Sequence, residues 1–341
     1  MPLIPKAEEK DTVKEKKRVQ TFNLDDIIKE ARTSFTGGEK GLGLQITSGA
    51  KVFRPSKPTD FVVSSCPHWK QLTGIPGIPF GSVIQIAGRP DSGKSSHGMS
   101  FMADAQNFDL QQQDILVVFW DSEKKFSPTR FTKFFNGKAE DLAIIQSKMI
   151  LEGGDEVKAV IQSALKTYPK LKVLFVWDSV GGTLPKNEGD ENDLRDGKQM
   201  AAASKENGQV IRSIVRLMEE YKNKETNEER LGVLLVNQSY ANIGAPGQKE
   251  SGGQKVEYHS SLILQLTRKK DLTKTRDKVK RKIGIVTRAK VKKNHLFDGE
   301  DSVAELDLLI TAGGIRLASD AKLKTEDGWD SSEDGDVEEL D

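Results

Sequence analysis

Residues 86–98 read IAGRPDSGKSSHG, and the stretch Gly88, Arg89, Pro90, Asp91, Ser92, Gly93, Lys94, Ser95 spells G-x-x-x-x-G-K-S, with a further Ser96 behind it. Two glycines at this spacing let the backbone curl until several N–H groups converge on one point. A helix opening directly afterwards adds its positive end, a lysine reaches the terminal phosphates and a serine hydroxyl ligates Mg2+. Such a turn is a cradle for nucleotide phosphates. Two acidic run ends supply what hydrolysis would further need. VLFVWDS closes on Asp178 and Ser179, where a carboxylate at a strand end can hold Mg2+ through water. VVFWDSE closes on Asp121 and Glu123, and a carboxylate just past a neighbouring strand tip can polarise an attacking water.

These groups must be held by a scaffold, and the hydrophobic pattern describes one. Apolar runs at 82–88, 115–121, 173–179 and 232–239 are near-continuous, as strands of a parallel sheet buried on both faces must be. Helical stretches are expected between them at 97–108, 154–168 and 208–224. Runs at 260–269, 282–293 and 303–311 alternate more and carry more Lys and Arg, which suits a partly exposed extension of the same sheet. The expected fold class is α/β: a mostly parallel central sheet flanked by helices. Asn23 as a cap and two acids in the first turn predict a helix over 23–35. The expected organisation is a mobile charged arm (1–20), an N-terminal helical or polymerisation segment (21–60), an ATPase core (61–318) and a disordered acidic tail (319–341).

Composition bounds the rest. Over 341 residues, 52 Lys+Arg face 51 Asp+Glu, so net charge names no partner, but charge is segregated. Basic residues crowd 268–282 and acids crowd 326–341. The basic run reads equally as a solvated hairpin or as a patch steering duplex DNA. The single cysteine, Cys66, fits a reducing compartment, and the first twenty residues lack the apolar core of a signal peptide. A soluble cytoplasmic protein with no membrane partner is expected, in the bacterial host cytoplasm if its origin is viral.

The order GRPDSGKSS, FWDSEKKFSP, VWDSVGGTLPK, LLVNQSYANIGAPGQKESGG resembles the core of RecA-type recombinases, over about residues 67–317. The resemblance implies that Glu123 is the catalytic base. It matches Asp178 and Ser179 to the second acidic strand end. It further implies that Asn237 and Gln238 sense the γ-phosphate and lead into a second DNA-binding loop at 239–253, with Ser239, Asn242, Gly244, Gln248, Lys249, Ser251, Gly252 and Gly253 as its contacts. The segment 182–198 takes the place of a first DNA-binding loop, offering Arg195 and Lys198. FSPTR parallels an adenine-contacting turn, with Arg130 where the bacterial family has an aromatic; an arginine can also stack flat on a base. TRAKVKKNH resembles the segment whose two basic residues reach ATP on a neighbouring subunit. Lys293 takes the first position and His295 the second, where the bacterial family has lysine.

Apart from the resemblance, the polar, glycine-rich 239–253 cannot pack as a core element, and with Lys249 it suits a single-stranded phosphate backbone. Together these readings describe an ATP- and Mg2+-dependent recombinase that filaments on single-stranded DNA and pairs it with a duplex. In organisation it is similar to bacteriophage recombinases of the UvsX type. A single-strand-binding protein and a loader are implied as accessory partners, and the acidic tail as a competitor of DNA for the basic loops. A ring-forming helicase or clock-type motor on the same fold, or a DNA-loading scaffold with little turnover, remain open alternatives.

Overall fold

Strand-forming and helix-forming segments alternate along the chain, in a computed structural model that describes residues 55–186, 197–223, 226–241, 248–250, 253–276, 279–296, 302–311 and 314–318. The expected arm, the 23–35 helix and the acidic tail lie outside the described residues. In chain order come β1 (Phe61–Val63), α1 (Pro67–Thr73), β2 (Gly77–Pro79), β3 (Val83–Gly88), α2 (Lys94–Ala105), α3 (Phe108–Gln111), β4 (Ile115–Asp121), α4 (Pro128–Phe135), β5 (Leu142–Ile145) and α5 (Ile150–Thr167). There follow β6 (Lys172–Asp178), α6 (Gly197–Glu220), β7 (Leu231–Ala241), β8 (Gln248–Glu250), α7 (Gln254–His259), β9 (Leu262–Arg276), β10 (Val279–Asn294), β11 (Glu305–Thr311) and β12 (Gly314–Leu317).

The large sheet runs β12-β11-β10-β9-β3-β7-β6-β4-β5, with β8 attached to β7. From β9 to β5 every pairing is parallel; β10, β11 and β12 then add antiparallel strands at one side. The four apolar runs form β3, β4, β6 and β7 in the middle. Successive residues on them feed two different cores, because side chains alternate across a strand. Ile84, Ile86, Val117, Phe119, Leu174, Val176 and Leu234 pack with α1, α2 and Phe131 of α4. Val83, Val118, Trp120, Val173, Phe175, Trp177, Val233 and Leu235 pack on the opposite side with α5 and α6. That two-sided burial is why these strands read as unbroken apolar runs.

The second core contains Trp120 and Trp177, both fully buried, with rings stacked 4.3 Å apart at 12°. Trp120 Nε1 donates to the Ser147 carbonyl at 2.7 Å. Trp120→Ala is expected to lower the unfolding free energy by about 3–5 kcal/mol, read from urea titration, and a loss below about 1 kcal/mol would contradict this packing.

Elements α6 and β7 differ from the pattern reading. Helix α6 begins at Gly197, eleven residues before the expected 208, because the Ala-rich stretch 200–203 propagates helix well. Strand β7 does not stop at 239: it runs to Ala241 and pairs antiparallel with β8, so Ser239 faces Glu250 in register. Leaving the sheet, β7 satisfies its backbone groups against its own return strand. The basic run 268–282 falls on β9 and β10, which form one long antiparallel hairpin from Leu262 to Asn294.

Candidate functional site at the carboxyl ends of the central strands

Register brings the chemistry-bearing residues together. Gly88 pairs with Gln238, Asp121 with Asp178, and Asp178 with Val236, so the carboxyl ends of β3, β7, β6 and β4 stand side by side. Crevices outside strand carboxyl ends are where open α/β sheets bind ligands. Here the crevice is a cavity of about 570 Å3 whose lining includes Lys94, Ser95, Glu123, Asp178, Ser179 and Gln238.

The glycine turn is held from both sides. A side chain at Gly88 would lie 2.5 Å from the Leu266 carbonyl oxygen and 2.6 Å from Ser92 Oγ, so β9 and the turn itself require glycine there. Gly93 has φ +92 and would place a Cβ 2.1 Å from Ile310 Cδ1. Ser92 Oγ donates to the Arg89 carbonyl at 2.8 Å, and the Thr287 hydroxyl on β10 donates to the Ser92 carbonyl at 3.2 Å. Helix α2 opens at Lys94 with no side chain capping it, which leaves first-turn N–H groups for a ligand. Lys94 is buried, and its ammonium donates to the Arg89 carbonyl at 2.7 Å. Burial lowers its pKa against the opposing pull of Asp178, Glu123 and Asp91. Asp91 itself sits on the exposed crest at φ 58.

Glu123 is fixed by three donors. Ser179 Oγ donates to its Oε1 at 2.5 Å, Gln238 Nε2 to the same oxygen at 2.9 Å, and Lys125 pairs with Oε2. Burial pushes this carboxyl up, but the bonds from Lys125, Ser179 and Gln238 outweigh it and hold it below the ordinary range. Asp121 does something different: its oxygens accept the backbone N–H groups of Lys125 and Phe126, both at 3.0 Å, tying down the loop that carries Glu123. Asp178 is pushed up to about 6 by burial, opposed by a hydrogen bond from Ser95. The Ser95 hydroxyl and Asp178 thus form a paired oxygen donor set beside Lys94. Among the described residues no cluster of three or more His, Cys, Asp or Glu could hold a metal unaided. A pair of oxygen donors suits Mg2+, which takes one or two protein ligands and completes its shell with phosphate oxygens and water.

Among the described residues, the other expected site residues, Pro90, Ser96 and Arg130 excepted, do not line the cavity. Arg130 on α4 reaches the cavity and its Nη2 donates to Ser96 Oγ at 3.2 Å. Lys293 pairs with Ile263 on β9, three residues before the Leu266 that abuts the glycine turn. Its ammonium donates to the carbonyls of Glu257 (3.0 Å) and Tyr258 (3.4 Å) at the end of α7. His295 follows, its N–H donating to the Ser261 carbonyl at 2.9 Å. Neither residue lines the cavity of its own chain. Ser239 is buried, its hydroxyl receiving Gln265 Nε2 at 3.3 Å, so it faces the sheet. Gln248 and Lys249 lie on β8, Gly253 caps α7 at φ +83, and Lys198 is in the first turn of α6. Arg195, Asn242, Gly244, Ser251 and Gly252 lie outside the described residues.

Some of the wall was not read from the sequence. Lys125, Phe126 and Phe134 line it, as do Lys282–Ile285 of β10 and Thr311 of β11. Ser127 followed by Pro128 is a helix-start signal that would have placed α4; its hydroxyl accepts the Arg130 N–H at 3.3 Å. Beneath α2, His97 Nδ1 donates to the Gly93 carbonyl at 3.0 Å and its ring meets His68 edge-on at 5.8 Å. Burial lowers His68 to about 3 and His97 to about 4 from an ordinary 6.5. The unfolded chain therefore takes up protons below 6.5 that the fold excludes, and this contribution is full above 6.5 and is lost as pH falls. His68→Phe is expected to flatten the decline in unfolding free energy between about pH 7 and 5 by about 2 kcal/mol relative to wild type. Asp104, pushed up to about 6 by burial, acts in the opposite sense but is common to both proteins. An unchanged slope in urea titrations would contradict the assignment.

Known proteins resemble this chain in sequence. The family model for the RecA N-terminal domain matches residues 56–315, and the chain belongs to that family. It is similar to Protein RecA of Ureaplasma parvum, 28% identical over 236 residues, which are 67% of this chain and 62% of that protein. It is also similar to Protein RecA of Streptomyces avermitilis, 25% identical over 281 residues (81% of this chain, 67% of the relative). Protein RecA of Clostridioides difficile is 28% identical over 275 residues (73% and 71%). The match therefore spans a little under two thirds of the Ureaplasma protein's length. Among the described residues no helix is long and apolar enough to cross a membrane.

Proposed function

We propose that this chain is a RecA-type recombinase: a DNA-dependent ATPase that assembles into a helical filament on single-stranded DNA and exchanges strands with a homologous duplex. The observation that carries the reading is the bond from Gln238 to Glu123 at 2.9 Å, at the point where β7 leaves the sheet for the β8 hairpin. One side chain thereby joins a hydrolytic carboxylate to the base of a loop suited to DNA.

In this reading the glycine turn and the first-turn N–H groups of α2 hold the phosphates of ATP, and Lys94 exchanges the Arg89 carbonyl for terminal phosphate oxygens. Ser95 and Asp178 would hold Mg2+, which when bound neutralises phosphate charge. Glu123 takes a proton from the attacking water as the oxygen–γ-phosphorus bond forms and the bond to ADP breaks. Its lowered pKa keeps it deprotonated at neutral pH. Gln238 exchanges Glu123 for the γ-phosphate when ATP is bound, and so reports the nucleotide state along β7 to the 239–253 loop. Lys249 and the glycines of that loop, with Arg195 and Lys198 of the 182–198 segment, are the proposed contacts to the DNA backbone. Ser239, facing the sheet, anchors the loop.

Lys293 and His295 do not line their own cavity, which supports their reaching ATP on a neighbouring copy. That placement supports a filament, for which a single-strand-binding protein and a loader are the proposed accessories. The departures from the bacterial pattern at Arg130 and His295 support a divergent recombinase, and its organisation, similar to that of UvsX-type proteins, supports the bacteriophage kind. Electron microscopy with single-stranded DNA and a slowly hydrolysed ATP analogue tests the assembly: helical filaments are expected, and closed hexameric rings would overturn it.

A further inference from the structure

The lining of the cavity joins two chemistries: the glycine turn with its cation and acids, and a set of aromatic and apolar side chains. Arg130 and Phe134 stand one turn apart on α4, where residues i and i+4 share a face, and both line this cavity. The helix is well held, with Ser127 capping its start and Phe131 fully buried beneath it. Two side chains four residues apart on such a helix keep a fixed spacing of about 6 Å along its axis.

Their surroundings separate their chemistry. The Arg130 guanidinium donates to Ser96 Oγ at 3.2 Å, and Ser96 directly follows Lys94 and Ser95 in the first turn of α2. The start of a helix favours anionic oxygens, and a guanidinium fork anchored there has further donors to offer them. Three phenylalanines line the wall. Phe119 is buried, and Phe126 is held between Phe119 and Phe131 at 5.5 and 5.6 Å. Phe134 is 37% exposed, with the Lys133 ammonium 5.7 Å from its ring. An exposed ring on a cavity wall gains from being covered by a flat π-system.

We propose that Arg130 and Phe134 divide nucleotide recognition between them: Arg130 binds a phosphate on the Ser96 side, and Phe134 is the platform on which the base stacks. The assignment rests on the nucleotide reading of the cavity. It moves base contact away from Arg130, the position at which sequence alone placed it, and gives this chain an aromatic one helical turn later.

Binding titrations of the full chain with ATP and with inorganic tripolyphosphate, both with magnesium, separate the two roles. Phe134→Ala is expected to weaken ATP by about tenfold or more while tripolyphosphate binds within about twofold of wild type, and Phe134→Tyr restores ATP binding. Arg130→Gln is expected to weaken both ligands by a similar factor. ATP affinity unchanged in Phe134→Ala, or tripolyphosphate weakened as much as ATP, would overturn the base platform. Loss of ATP binding alone in Arg130→Gln would return the base contact to Arg130 and overturn the division. Wild-type protein that binds neither ligand would overturn the nucleotide reading itself, an outcome distinct from failure of this assignment.

Discussion

Glu123→Gln is expected to slow ATP hydrolysis by about 10²–10⁴-fold while leaving the fold and nucleotide binding in place. The substitution removes a proton acceptor and little else. An amide oxygen still accepts from Ser179 Oγ and Gln238 Nε2, the two bonds that now fix Oε1. What is lost is the pair with Lys125, whose side chain is 77% exposed, and such a pair contributes at most about 1 kcal/mol. The neighbouring acids cannot take over by a small shift. Asp121 is buried, with both oxygens committed to the N–H groups of Lys125 and Phe126, and Asp178 lies against Ser95. The measurement is phosphate release with single-stranded DNA present, beside ATP affinity by titration. Hydrolysis within a few-fold of wild type would place the base elsewhere.

Lys94→Ala is expected to lower hydrolysis by at least about 10²–10³-fold and to remove most of the stabilisation that ATP confers on unfolding. The ligand-free protein supplies the control. Lys94 is buried, with its ammonium resting on the Arg89 carbonyl, and burial already lowers its pKa. Deleting it removes a cation that is costly to bury and leaves the Arg89 carbonyl bonded to Ser92 Oγ. The variant without nucleotide should therefore melt close to wild type, and the shift produced by ATP should vanish. A variant that loses stability without ATP, yet keeps the ATP shift, would make Lys94 a packing residue.

These two residues were legible because their signals are local. The G-x-x-x-x-G-K-S spacing and the apolar runs ending in Asp121 and Asp178 are each complete within eight residues, and the runs emerged as β3, β4, β6 and β7 within a residue or two of expectation. Other features depend on contacts distant in sequence. Thr287 bonds to the glycine turn 195 residues away, and Gln238 reaches Glu123 across 115. Short strands β1 and β2 carry three residues each and are defined only by pairing with one another. The continuation of β7 into β8 was hidden because its composition is that of a loop, glycine-rich and polar; pairing with its own return strand overrides that propensity. Phe134 was passed over because one aromatic among FTKFF carries no mark of which ring meets a cavity.

Strand exchange between homologous DNAs tests the central claim most directly. With ATP, magnesium and a single-stranded circle paired to a homologous linear duplex, the wild-type chain is expected to form joint molecules, and Lys94→Ala to form none. Hydrolysis of ATP without any joint molecules, or pairing that persists in Lys94→Ala, would contradict the account.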